Sequence, residues 1–204
     1  MAFIVPPPRS SSDAAPGPSA AGAHGDAVAR WYERELGWPT EGRAPVRLLT
    51  GVRFDVLELP AAAGHALLRR PLRTGPVLLA GARMGLLVAP GCADELPGLL
   101  DWLEWGPLAL GLTAVGAGGR IAAPSHPGGA GSPGAAVWLR PPEPRLAPTS
   151  ALPALAGFGS SGGGAPDLVR LVDAAATECH RVRLSRARAG LLFGSPADQP
   201  LAFS

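Results

Sequence analysis

Residues 116–144 read GAGGRIAAPSHPGGAGSPGAAVWLRPPEP, and this stretch decides the fold class of the chain. Its opening glycines, Gly116, Gly118 and Gly119, are typical of a tight hairpin turn. Residues 120–123 predict a short strand, and residues 135–139 predict a last strand that contains Trp138. No Gly-Lys-Ser/Thr follows the glycines, and they lead into a strand rather than a helix. The glycine motifs that bind phosphate in nucleotide enzymes are therefore excluded.

Helical and strand patterns alternate upstream of this stretch and return to helix after it. We expect a helix from an Asp26 cap to Leu36, a helix capped by Asp94, and a final helix that begins at Pro166. The other predicted elements are strands at 46–49, 52–59, 77–80, 84–89 and 108–115 and a helix at 61–70. This order predicts an α+β fold, with helices packed on one face of a mixed or antiparallel sheet and a C-terminal helix.

Composition predicts four segments along the chain. Residues 1–24 are rich in Pro, Ser, Ala and Gly and bury too little apolar surface to offset the entropy of ordering, so we expect a disordered tail. Residues 25–142 form the folded body. A second Pro- and Gly-rich stretch, residues 143–165, predicts a flexible linker, and residues 166–204 hold the C-terminal helix and a tail.

Charge and cysteine content exclude several function classes. The net charge is +2, too small for a general polyanion-binding surface, although all 18 basic residues are arginine. Cys92 and Cys179 have no cysteine or histidine neighbours at metal-ligand spacing, so neither a zinc site nor a disulfide framework is expected. The apolar runs are too short to span a bilayer, and no secretory signal pattern opens the chain. We therefore expect a cytoplasmic protein without a membrane partner.

The glycine turn, the Pro124-Ser125-His126 loop and the strand with Trp138 resemble the N-terminal domain of bifunctional DNA primase/polymerases, in the archaeo-eukaryotic primase superfamily. That family has a glycine turn, a strand, a Pro-Ser-x-His loop and a hairpin that ends near an aromatic residue. The strands GVRFDVLELP and GLLVAPG follow the family order, and the likeness covers most of residues 25–142. It looks closest to short, stand-alone actinobacterial members of the family.

The resemblance implies a metal-dependent site whose acidic residues can be checked one by one. Active members hold metal ions with an Asp-x-Asp pair and a third carboxylate, because carboxylates and two metal ions position and neutralise the phosphates. Asp55 matches the first position, but residue 57 is leucine. Glu58 is three residues along the same strand, hence on the opposite face unless a bulge intervenes. The strand at 108–114 has no carboxylate.

Four side chains are candidates for binding nucleotide phosphates: Arg83, Arg120, Ser125 and His126. The alternative for Ser125 and His126 is a Pro-Ser turn with an imidazole in solvent, and for Arg83 a solvated edge residue. Arg181, Arg183, Arg186 and Arg188 form a basic cluster near the end of the last helix. Nucleic acid contact and favourable placement of cations at a helix C-terminus explain this cluster equally well.

Three hypotheses follow from these residues. The first is a catalytically degenerate primase/polymerase-like domain that needs no cofactor and binds a nucleotide, a nucleic acid or a protein. The alternative is an active nucleotidyltransferase that uses Mg²⁺ or Mn²⁺ at Asp55, with Glu58 brought beside it by a bulge. The third is a structural or regulatory interaction domain without nucleotide affinity. The sequence leaves the oligomeric state open.

Overall fold

The computed structural model describes residues 20–42, 45–125, 135–143, 152–155 and 167–193. In chain order the helices are α1 Ala20–Trp31, continued by a π-helical segment Tyr32–Leu36, α2 Ala61–Leu68, α3 Cys92–Trp102 and α4 Leu168–Phe193. The strands are β1 Thr40–Glu41, β2 Arg47–Leu49, β3 Asp55–Pro60, β4 Val77–Ala80, β5 Arg83–Val88, β6 Thr113–Val115, β7 Arg120–Ala122 and β8 Val137–Arg140.

A five-stranded antiparallel sheet in the order β6-β3-β5-β4-β8 forms the centre of the protein. β3 and β5 occupy interior positions and carry mostly apolar side chains, as expected for strands that are covered on both faces. Their register runs without interruption from the Asp55–Val88 pair to the Pro60–Arg83 pair. Successive side chains of β3 therefore alternate strictly between the two faces of the sheet.

One face of this sheet is covered by α2, α3 and α4. Leu57, Leu59 and Met84 point to this face and are fully buried. Gly64 lets α2 lie directly on the sheet, because a Cβ there would come within 2.2 Å of the Met84 sulfur. Although α4 has 26 residues, neither it nor any other helix of the described residues is apolar enough over the length needed to cross a bilayer.

The opposite face carries an aromatic cluster. Trp138 lies opposite Leu78 in the β4–β8 pair, and its ring packs near Trp38, which in turn contacts Phe54 and stacks with Tyr32. Tyr32 is fully buried, so the π-helical segment that follows α1 is anchored by this residue. Aromatic rings bury large apolar areas, and this cluster joins the N-terminal helix to the sheet.

A smaller antiparallel sheet, β1-β2-β7, is joined to the larger one by two neighbouring crossovers. Residues 50–54 connect β2 to β3, and residues 116–119 connect β6 to β7. The backbone N–H of Thr50 donates to the Gly119 carbonyl at 3.1 Å, and its hydroxyl donates to the Gly116 carbonyl at 2.5 Å. Gly51 has φ +84° and lies so close to Ala117 that a Cβ would come within 2.2 Å of the Ala117 Cα.

The predicted α+β fold, with an antiparallel sheet, helices packed on it and a C-terminal helix, is confirmed. The strand predicted at 77–80 has the predicted bounds. The hairpin predicted at the glycines is wrong, because residues 116–119 carry the chain from one sheet to the other. The strand predicted at 108–115 shortens to β6, since only residues 113–115 pair with β3.

Two predicted helix starts and part of the predicted linker also change. α1 begins at Ala20, so residues 20–24 are helical rather than disordered, and Asp26 lies inside the helix; residues 1–19 are outside the described part. α3 begins at Cys92 with Gly91 as its N-cap, not at Asp94. Within the predicted linker, residues 152–155 pack on the body, because Leu152 is buried and the Pro153 carbonyl accepts from Ala89 N–H at 2.9 Å.

Candidate functional site

Asp55 is the first residue of β3, and its carboxylate lies at the N-terminus of α3. Its Oδ2 accepts a hydrogen bond of 2.9 Å from the backbone N–H of Ala93. The N-cap residue of α3, Gly91, has no side chain to fill this position. A side chain from β3 thus satisfies one of the N–H groups that an α-helix leaves unpaired at its start, and its negative charge lies at the favourable end of the helix dipole.

The surroundings of Asp55 are closed rather than open to a ligand. The residue is only 1 % exposed, and its Oδ1 has no hydrogen-bond partner among the described residues. A Cβ at Gly116 would come within 2.6 Å of Ala93 Cβ and 3.6 Å of Asp55 Oδ2, so the β6–β7 crossover covers the carboxylate from one side. Nearby, burial raises the pKa of the Cys92 thiol, and the charge of Asp55 raises it further.

Glu58 lies on the opposite face of β3 from Asp55. The two residues are three positions apart, and the unbroken β3–β5 register contains no bulge between them. Alternation of side chains therefore directs the carboxylates away from each other. The arrangement that a shared Mg²⁺ or Mn²⁺ requires is absent, so these two residues do not fit a metal site. Among the residues that the structure describes, no three His, Cys, Asp or Glu side chains are grouped as metal ligands.

Arg83 is bound to the protein itself. Its Nη1 donates to the Gly111 carbonyl at 2.7 Å, and its Nη2 donates to the Glu58 carbonyl at 3.0 Å and to Thr113 Oγ1 at 2.9 Å. Glu58 Oε2 lies 3.8 Å from Nη2. The guanidinium thus joins β5 to β3 and to the start of β6, and phosphate binding would require it to give up contacts already made.

Arg120 and Ser125 lie on β7 and just beyond it. Arg120 forms an ion pair of 2.7 Å with Glu41 of β1, with both side chains half exposed. Ser125 is half-buried and follows Pro124, whose carbonyl accepts from the Tyr32 hydroxyl at 2.7 Å. His126 lies outside the described residues. No hydrogen bond or ion pair within the described ranges joins Arg120 or Ser125 to Asp55, so these predicted site residues do not form one hydrogen-bonded cluster.

The anchor of the Pro-Ser loop was not predicted from the sequence. Trp138 Nε1 donates to the Tyr32 hydroxyl at 2.8 Å, and that hydroxyl donates to Pro124. Burial raises the pKa of Tyr32 above its usual range, while the hydrogen bond from Trp138 opposes the rise. These partners are 92 and 106 residues from Tyr32 in sequence, and no local pattern indicates such a pairing.

The Ala93 contact of Asp55 was also missed, for a different reason. The donor is a backbone N–H, which any residue other than proline provides, so its sequence position carries no signal. The only indication was the glycine at position 91, a helix start without a capping side chain. The chain matches no protein-family model, no curated protein and no solved structure.

Proposed function

We propose that the chain is a catalytically degenerate primase/polymerase-like domain that works as a nucleic-acid-binding module. The observation that carries the first half of this proposal is the placement of Asp55 and Glu58 on opposite faces of an unbroken strand. Metal-dependent phosphoryl transfer requires carboxylates that converge on the metal ions between nucleophile and leaving group. In this chain one carboxylate caps a helix and the other lies beside Arg83.

The remaining polar residues support binding rather than chemistry. Arg120 is the first residue of β7, and Ser125 lies three residues beyond the end of that strand. Within the described residues, the only acid or base that forms a hydrogen bond or ion pair with either of them is Glu41, which is paired with Arg120. Exposed positive charge is concentrated in a different place, in the second half of α4. Arginine contacts with phosphate provide affinity for nucleic acids without any catalytic group. In this proposal the domain needs no metal cofactor, and its cytoplasmic location remains a prediction.

The test is a primer-extension assay with the full chain, deoxynucleotides and either Mg²⁺ or Mn²⁺. We expect no extension above background for the wild type, Asp55→Asn or Glu58→Gln. The control measurement is fluorescence anisotropy with labelled single-stranded and duplex oligonucleotides, which should show binding by all three proteins. Wild-type extension that disappears in a folded Asp55→Asn variant would establish the active enzyme instead.

The binding measurement also separates the proposal from the other non-catalytic hypotheses. A rise in melting temperature with nucleotides, without oligonucleotide binding, would favour a nucleotide-binding domain, because a ligand stabilises the state that it binds. Neither binding nor a thermal shift would favour the structural or regulatory interaction domain.

A further inference from the structure

The second half of α4 extends away from the body of the protein. Between Leu168 and Cys179 the helix has a buried side, which packs against α2, α3 and the sheet. Val182 is half-buried, and every residue from 183 to 189 is exposed on all sides of the helix. The helical backbone continues to Phe193. Residues 183–189 thus form about 10 Å of projecting helix at 1.5 Å per residue. We call residues 181–193 the arginine segment.

The arginine segment is strongly basic where its side chains are described. Residues 181–189 read RVRLSRARA, with four arginines and no acidic residue. Arg181 binds Glu178 Oε1 at 2.8 Å, one turn back along the helix. The other three, Arg183, Arg186 and Arg188, form no ion pair within the described ranges. Since these arginines are exposed and unpaired, the structure leaves their charge available to an anionic partner.

The arginines lie on two opposite sides of the helix. At about 100° per residue, Arg181 and Arg188 lie within about 20° of each other, and Arg183 and Arg186 lie on the far side. A helix that rests on a membrane surface needs one basic face and one apolar face, which this pattern does not provide. Cations on both sides instead fit a partner that has negative charge on both sides of the helix.

The major groove of duplex DNA has this geometry. It is about 12 Å wide, admits an α-helix, and is bordered by phosphates of both strands. On one of the two strips between the arginine sides, Ser185 and Ala189 follow the half-buried Val182, and these two small side chains would allow the helix to approach the base edges. The Ser185 hydroxyl donates to the Arg181 carbonyl at 3.0 Å, so it is held against its own helix.

We propose that the arginine segment binds in the major groove of duplex DNA, with arginines on opposite sides of the helix contacting the phosphates of the two strands. This inference rests on the proposed nucleic-acid-binding function and names its ligand and its contact surface. The body of the domain serves in this arrangement to hold the helix, through the buried side of its first half.

The test compares the full-length wild type with an Arg186→Gln/Arg188→Gln variant, which removes one arginine from each side. Glutamine keeps the helix propensity close to that of arginine. The matched control is Arg69→Gln/Arg73→Gln, which removes the same net charge from exposed positions at and after the end of α2. Circular dichroism checks that all three proteins are folded. The probes are a 20-base-pair duplex, a single strand of the same length, and phosphatidylserine vesicles.

The expected result concerns the salt dependence of duplex binding, measured by anisotropy over a series of salt concentrations. Each phosphate contact contributes about −0.9 to the slope of log K against log salt, so the test variant should have a slope shallower by about 1.8. The wild-type advantage over the variant should then fall roughly twelvefold between about 50 and 200 mM salt. The control should keep the wild-type slope, and the wild type should prefer duplex to single strand.

Several outcomes overturn the inference while leaving the proposed function intact. They are duplex binding with an unchanged slope in the test variant, an equal loss in the control variant, and single-strand binding as tight as duplex binding. Arginine-dependent binding to the vesicles, without duplex binding, would show that the partner of the arginine segment is a membrane surface and not DNA. If the wild type binds neither oligonucleotide, both the inference and the proposed function fail, whereas metal-dependent extension contradicts only the proposed function.

Discussion

Replacing Asp55 distinguishes a structural carboxylate from a metal ligand. A ligand carboxylate that is buried without its metal is a destabilising feature, so its removal should raise the free energy of unfolding while activity is lost. A helix-capping carboxylate behaves in the opposite way. Asp55 Oδ2 accepts from Ala93 N–H at 2.9 Å, and its loss would leave that partly buried donor without its partner. We therefore expect Asp55→Ala to lower the free energy of unfolding.

The size of the effect follows from two contributions. Loss of a capping side chain costs about 1 kcal/mol. A fully buried donor left without a partner costs about 1–3 kcal/mol, and the partly buried Ala93 N–H should cost the lower part of this range, some of which is the same interaction. Removal of the unpartnered Oδ1 gives some of this back, so we expect a net loss of about 2 kcal/mol for Asp55→Ala. Asp55→Asn keeps an amide oxygen for Ala93 N–H and loses mainly the attraction of the charge to the helix dipole, about 0.3–1 kcal/mol.

Urea denaturation at pH 7, followed by circular dichroism, measures these differences. Glu58→Ala is the control on the same strand, and it should cost less than about 1 kcal/mol because its ion pair with Arg83 is long and partly exposed. The expected order of stability is wild type, then Asp55→Asn, then Asp55→Ala. An Asp55→Ala variant as stable as the wild type, or more stable, would refute the capping role.

Two further predictions concern the packing of the sheets and the burial of a thiol. Gly51→Ala should lower the melting temperature more than Gly118→Ala. Both positions have positive φ, but a Cβ at Gly51 would collide with the backbone of Ala117, whereas a Cβ at Gly118 would enter open space. Equal shifts in thermal denaturation would contradict the close approach of the two crossovers. Burial raises the pKa of Cys179 from 9.0 to about 11. The unfolded state therefore releases this proton first, and the free energy of unfolding should fall between pH 9 and 11, by at most about 3 kcal/mol. Urea titrations across that range should show a smaller fall for Cys179→Ala, and an equal fall would show that other groups cause it.

The sequence predicted the positions of the strands better than it predicted which strands pair with each other. The strand at 77–80 could be predicted because an apolar run follows Gly75-Pro76 directly, and the structure keeps its bounds. The glycines at 116–119 indicated a turn correctly, but whether two strands form a hairpin depends on their other neighbours. Here β3 and β2, far away in sequence, take the two strands into different sheets.

Tertiary contacts also explain two segments that composition predicted wrongly, residues 152–155 and the start of α1. Residues 152–155 have the Pro- and Ala-rich character of a linker, yet Leu152 is buried and Ala154 pairs with Asp167. The start of α1 contains glycines and has no acidic residue in its first turn, so its local sequence favours a helix only weakly. Further along the chain, Val28 of the same helix and Tyr32, which follows it, are buried against the body. In both places the stabilising contact lies on another part of the chain, where a local sequence pattern cannot indicate it.

The orientation of β3 bears most directly on the resemblance to primase/polymerases. Asp55 and residue 57 share one face of the strand, as the members of an Asp-x-Asp pair would. In this chain that face is the one beneath α2, α3 and α4, and Leu57 is fully buried in the apolar layer between them and the sheet. A carboxylate at position 57 would therefore be an unpaired buried charge and not a second metal ligand. The packing of the helices thus favours an apolar side chain at this position, which Leu57 provides.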